Sequence, residues 1–157
     1  MSKQAKSTRA DEAYDNLVMS RTNCSQGVLN SYAAEFGLER GLALRLALGF
    51  GGGIARGGNT CGAVTGASMV LGLSLKATAE NPLQDREEAY AAIQEFNRRF
   101  IARHGTLVCR ELLGLDLSRP EGLEEARRRQ LFVTRCPDLV KSAVQILEDM
   151  LALPKKA

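Results

Sequence analysis

Apolar residues along this chain recur mainly three and four positions apart, and no stretch alternates apolar with polar side chains as a half-buried strand does. The pattern predicts an all-α protein: a single-domain bundle of about six to eight helices, with a glycine-rich loop before a central buried helix. Residues 1–9 read as a flexible tail and 10–153 as the helical domain. A first helix over about 10–21 would bury Tyr14, Leu17 and Val18. Asn23 is placed to cap a second, opening at Cys24, with Val28, Leu29, Tyr32 and Phe36 inward and an end near Gly37. A third, about 39–48, would turn Leu42 and Leu46 inward. Thr60 is read as the cap of a fourth, from Cys61 to about Ala77, in which Gly62 and Gly66, and Ala63 and Ala67, are spaced four apart and permit close packing on several sides.

Pro82 separates this from a fifth helix, about 84–104, whose inner stripe is Ala89, Ile93, Phe96 and Phe100 and whose stop is His104-Gly105. A short sixth helix, about 106–113, carries Cys109. A polar connection over 115–135, with a short helix at about 123–130, leads to Cys136-Pro137-Asp138. These open a last helix docked by Val140, Val144, Leu147, Met150 and Leu151.

Between Gly49 and Gly66 stand eight glycines, at 49, 51, 52, 53, 57, 58, 62 and 66, so the backbone there either turns sharply or lets something approach closely. Gly53 to Thr60 has the outer spacing of a phosphate-binding P-loop, but Asn59 stands where its Lys belongs and no strand precedes it. The better reading is a loop of Gly51, Gly52, Gly53, Arg56, Gly58, Thr60, Gly62 and Gly66 whose N–H groups serve cluster sulfurs or a small anion, with Arg56 adding charge.

Length and charge narrow the function more than they identify it. At 157 residues the chain is long enough for one core without cross-links, and the formal net charge of +3 is dispersed. Trp is absent and aromatic residues make up 5%, with no aromatic-plus-basic platform, which argues against nucleic acid. The polar N-terminus shows no signal-peptide pattern, so the cytoplasm is the expected location. The longest uncharged run, Gly57 to Leu75, is too rich in Gly, Asn, Thr and Ser for a membrane span.

In a reducing compartment the four cysteines, Cys24, Cys61, Cys109 and Cys136, point to metal or redox chemistry rather than structural bridges. At least three fall at predicted helix starts, where unpaired N–H groups favour thiolate over thiol. Their intervals of 37, 48 and 27 residues exclude a local zinc loop or a C-x-x-C pair, so any shared site is built by folding. Four converging thiolates would suit an iron–sulfur cluster, most simply of two-iron type, or one zinc; two or three would suit a reversible disulfide without metal. The competing reading makes each cysteine a small buried hydrophobe in a structural interaction domain. His104, the lone histidine, is a terminal cap first and a metal ligand second. Glu87-Glu88 and Glu124-Glu125 read as solvated faces. Arg127-Arg128-Arg129 reads likewise, or as a dock for an acidic redox partner.

These landmarks resemble the C_GCAxxG_C_C family of redox-active proteins, widespread in anaerobic bacteria and archaea. The resemblance runs from about Asn23 to Leu151. It rests on Cys24, on Gly49-Phe-Gly-Gly-Gly followed by Cys61-Gly62-Ala63-Val64-Thr65-Gly66, on His104-Gly105 ahead of Cys109-Arg110-Glu111-Leu112-Leu113-Gly114, and on Cys136. The name spells Gly-Cys-Ala, whereas here the glycine follows the cysteine. The resemblance implies a helical domain with a redox role, in which the four cysteines act as redox or ligand groups; a related domain occurs in some haem proteins alongside an inferred iron–sulfur site. An electron-transfer or redox-responsive module is therefore expected, with a redox partner protein and room for a homodimer, but no substrate follows.

Overall fold

A computed structural model describes residues 8–20, 22–76 and 80–152. Among them the backbone forms eight α-helices and no strand: α1 Arg9–Ser20, α2 Cys24–Ala33, α3 Arg40–Ala47, α4 Gly62–Ser74, α5 Pro82–His104, α6 Cys109–Leu113, α7 Pro120–Arg128 and α8 Arg135–Leu151. The chain is the all-α bundle its periodicity predicts. None of the described helices is long and apolar enough to cross a membrane. The expected tail lies mostly outside the described residues. Arg9 opens α1 and is buried: its guanidinium lies over the Tyr32 ring, donates 3.1 Å to the Ser31 carbonyl and pairs at 2.7 Å with Glu35.

Local sequence explains most helix ends. Asn23 caps α2 reciprocally, its Oδ1 accepting from the Gln26 N–H at 2.9 Å while Gln26 Oε1 accepts from the Asn23 N–H at 2.9 Å. Glu39 caps α3, and Asn81 caps α5 with Pro82 inside the first turn instead of ahead of the helix. Gly105 and Gly114 stop α5 and α6 in the left-handed conformation.

α4 is the central helix. Gly62, Ala63, Val64, Gly66, Ala67, Val70 and Leu71 are buried, and the helix packs on α2, α5 and α8. Its glycines set the approach of α2: a Cβ on Gly66 would stand 2.8 Å from the Ser25 carbonyl oxygen and one on Gly62 would stand 2.9 Å from Cys24 Cβ. α8 closes the other side through Leu139, Val140, Ala143, Val144, Ile146 and Leu147.

Two local expectations are overturned. Leu42 and Leu46 face outward, and the inner face of α3 is Ala43 and Ala47, because small side chains bring α3 onto α2. Thr60 does not cap α4. Cys61 occupies that position, while Thr60 is drawn into an isolated antiparallel bridge with Val108.

Candidate redox centre

All four cysteines sit in the first turn of a helix or at its cap: Cys24 and Cys109 are the first residues of α2 and α6, Cys136 is the second of α8, and Cys61 is the N-cap of α4. Three pieces of local structure gather them. The close approach of α2 and α4 at Gly62 sets Cys24 beside the start of α4. The Thr60–Val108 bridge is extended by the Cys61 N–H donating 2.8 Å to the Leu107 carbonyl and the Cys109 N–H donating 2.6 Å to that of Asn59. In that register residues 61 and 109 flank the bridge on its other face, as diagonal neighbours. Finally, α8 packs along α2 and brings Cys136 beside Cys24, near enough that each thiol sets the proton preference of the other. All four cysteines line one cavity of about 840 Å³. No disulfide joins them.

The rest of the lining is mostly apolar, with Gly51, Gly52 and Arg56 from the glycine loop and Arg127 from α7. That loop does more than turn. Gly52, Gly53, Ile54, Ala55 and Arg56 all have positive φ, a left-handed turn in which three of the five are not glycine. Its hydrogen bonds run from the Ala55 N–H to the Gly49 carbonyl (2.9 Å), Arg56 N–H to Gly51 (3.1 Å), Gly58 N–H to Gly52 (3.1 Å) and Asn59 N–H to Gly53 (3.0 Å). Left-handed backbone costs about 1–2 kcal/mol at each non-glycine residue, and such strain concentrates where function holds it in place. The turn is fixed against α6: Arg110 donates 3.0 Å to the Gly57 carbonyl and 3.2 Å to that of Gly58, and Gly53 has φ +73 and leaves no room for a Cβ beside Asn59 N and Cys109 Cβ. No strand precedes the loop among the described residues, so the P-loop reading gains nothing from the fold.

Placement at helix starts predicts four thiolate-prone sulfurs, and only one behaves so. Hydrogen bonding from Cys24 and then the nearby Arg135 lower the pKa of Cys136 against the opposing effect of burial. The same bond, with burial and the neighbouring sulfurs, holds Cys24 well above its ordinary value as a thiol. Burial pushes Cys61 up to about 11 despite the Ala63 and Val64 N–H groups, and Cys109 up to about 12. Desolvation outweighs the helix start at these positions, and each sulfur raises the cost of ionising the next. The cavity carries one thiolate readily and a second only with compensation.

The donor set can be tested against the metals expected of it. Among the described residues no group of three or more His, Cys, Asp or Glu is placed to hold a metal ion. A single zinc needs such a group. A two-iron cluster takes two thiolates per iron, and the cavity lining holds four cysteines, the number such a cluster needs. His104 is not in the cavity lining; its Nε2 is 2.8 Å from Ser142 Oγ and its ring lies 4.6 Å from Phe100. Of the loop residues singled out from sequence, Gly51, Gly52, Arg56 and Gly62 line the cavity, Gly53 and Gly58 shape the turn, Thr60 forms the bridge and Gly66 serves packing. Sequence reasoning took Arg127 only as part of a surface face or partner dock and passed over Arg135; Arg127 lies in the last turn of α7 and Arg135 opens α8, positions where arginine is too common to single out.

The family described as "Putative redox-active protein (C_GCAxxG_C_C)" has a profile that matches residues 22–150, which takes in all four cysteines, and the chain belongs to it. No curated protein and no solved structure matches the chain.

Proposed function

We propose that this member of the C_GCAxxG_C_C family is a thiol-based redox module in which Cys24 and Cys136 form a dithiol–disulfide couple. What carries the reading is the placing of those two cysteines beside one another in the shared cavity with opposite proton preferences, one held as thiol and the other biased to thiolate. Cys136 is the nucleophile. Its thiolate attacks one sulfur of an external disulfide, forming a mixed disulfide and releasing the other sulfur as a thiolate. Cys24 then gives up its proton and attacks Cys136 sulfur, which expels the second external thiolate and closes the Cys24–Cys136 bond. Two electrons pass to the external disulfide; the reverse sequence returns them. The partner is a protein or small molecule with a dithiol–disulfide couple of its own, and a reducing cytoplasm is where such a couple would cycle.

Titration against defined thiol–disulfide ratios tests this. The chain should lose two hydrogens reversibly, and Cys136→Ser should abolish the loss; four thiols that stay free at every ratio would refute it. A second reading is favoured by the convergence of all four cysteines on one cavity: a two-iron cluster held by Cys24, Cys136, Cys61 and Cys109. When bound, such a cluster supplies one-electron transfer. The chain's own residues would ligate it and shield it from water, with Arg135 offsetting negative charge near Cys136 and Cys61. Protein purified without oxygen would then hold two irons and two acid-labile sulfides per chain, and every Cys→Ser variant would lose them.

A further inference from the structure

The cavity is larger than four cysteine sulfurs require, and its charge is one-sided. Besides the cysteines, its charged lining consists of Arg56, on the left-handed turn, and Arg127, on α7; no Asp or Glu contributes. Neither arginine has a carboxylate partner among the described residues, although neighbouring Arg128 is held by Glu125 at 2.6 Å and Arg110 by the loop carbonyls. The Arg127-Arg128-Arg129 run is therefore not a uniform solvated face: one member is spent on an ion pair and another lines the cavity. The opening is apolar as well as cationic, since Leu48 and Val133 line it while remaining 64% and 45% exposed. Deeper in, Leu17, Leu112, Leu117 and Phe132 line the walls.

We propose that the cavity binds a small organic acid with an apolar body, its carboxylate taken by Arg56 and Arg127 and its body lying along the leucine and phenylalanine walls toward the sulfurs. An arginine guanidinium matches a carboxylate in shape as well as charge, and the cavity volume is that of a small-molecule site. A cation is disfavoured by the arginines and finds no carboxylate. A strongly polar anion leaves the apolar walls wet. The binding depends on the arginines and the cavity shape, not on whether the sulfurs form a disulfide.

The reduced full chain can be titrated with the apolar aromatic anion 8-anilinonaphthalene-1-sulfonate, read by fluorescence, and the probe then displaced with octanoate or octylamine. One saturable site per chain is expected, with octanoate displacing the probe at least tenfold better than octylamine. Arg56→Ala with Arg127→Ala should weaken the probe and octanoate about tenfold or more, the loss of a charge-assisted contact. Val133→Trp, which fills the mouth from an exposed position, should weaken both with the melting temperature unchanged. Absence of a saturable site, equal displacement by the amine, or affinity untouched in the double-arginine variant would overturn the proposal. Disulfide formation in the wild-type chain is a separate readout, so failure of either idea leaves the other distinguishable.

Discussion

Cys136 differs from the other three cysteines by what it touches. All begin helices, yet only this sulfur combines a thiol donor with a nearby arginine, and hence it alone titrates below its ordinary value. Iodoacetamide at pH 7 should therefore modify Cys136 first, as read by peptide mapping. Cys24→Ala removes the donated hydrogen bond and should slow that reaction about tenfold, since a hydrogen bond to a charged group contributes about 1.5–3 kcal/mol. Cys109, expected inside a helix from about 106, turns out to open its helix, whereas the helix-start positions of Cys24, Cys61 and Cys136 could be read from the sequence. Their proton preferences could not. Those depend on burial and on which sulfurs become neighbours, and both are products of tertiary packing.

At the scale of elements, the glycine loop is where sequence and structure differ in kind. Eight glycines announce an unusual backbone, but they do not announce that Ile54, Ala55 and Arg56 share its left-handed conformation. Substituting Ala55 by Gly should relieve strain and stabilise the fold by about 1 kcal/mol in denaturant unfolding. Gly53→Ala should do the opposite, costing about 1–3 kcal/mol, because its Cβ would stand 2.5 Å from the Asn59 nitrogen and 2.8 Å from Cys109 Cβ. If both variants unfold like the wild type, the turn is not held as described. Thr60 and α3 were misread for a related reason. A threonine before a helix and leucines at helical spacing are sound local signals, but the Val108 bridge and the closeness of α2 outweigh them.

Across the whole molecule, the buried thiols couple redox chemistry to stability. In the unfolded chain a thiol ionises near about pH 8.5. In the fold Cys61 and Cys109 keep their protons up to about 11 and about 12. Between those limits the folded chain binds more protons than the unfolded one, so stability is intact below about pH 8.5 and falls as pH rises toward 12. Urea midpoints measured from pH 7 to 10 should drop in the wild type and drop less in a Cys61→Ala, Cys109→Ala variant. The bundle itself was legible from periodicity, capping residues and the small-residue face of α4, because these are local or face-by-face properties. The gathering of the four cysteines around one cavity was not, since it depends on a two-residue bridge and a helix–helix approach between segments far apart in sequence. The account stands on Cys24 and Cys136 lying side by side in the shared cavity. Mild oxidation with a small disulfide, followed by proteolysis and mass spectrometry, tests it most directly: the account predicts a dominant cross-linked peptide joining Cys24 to Cys136, reversed by reductant. Four cysteines recovered as unlinked thiols, or a first bond formed between other partners, would contradict it.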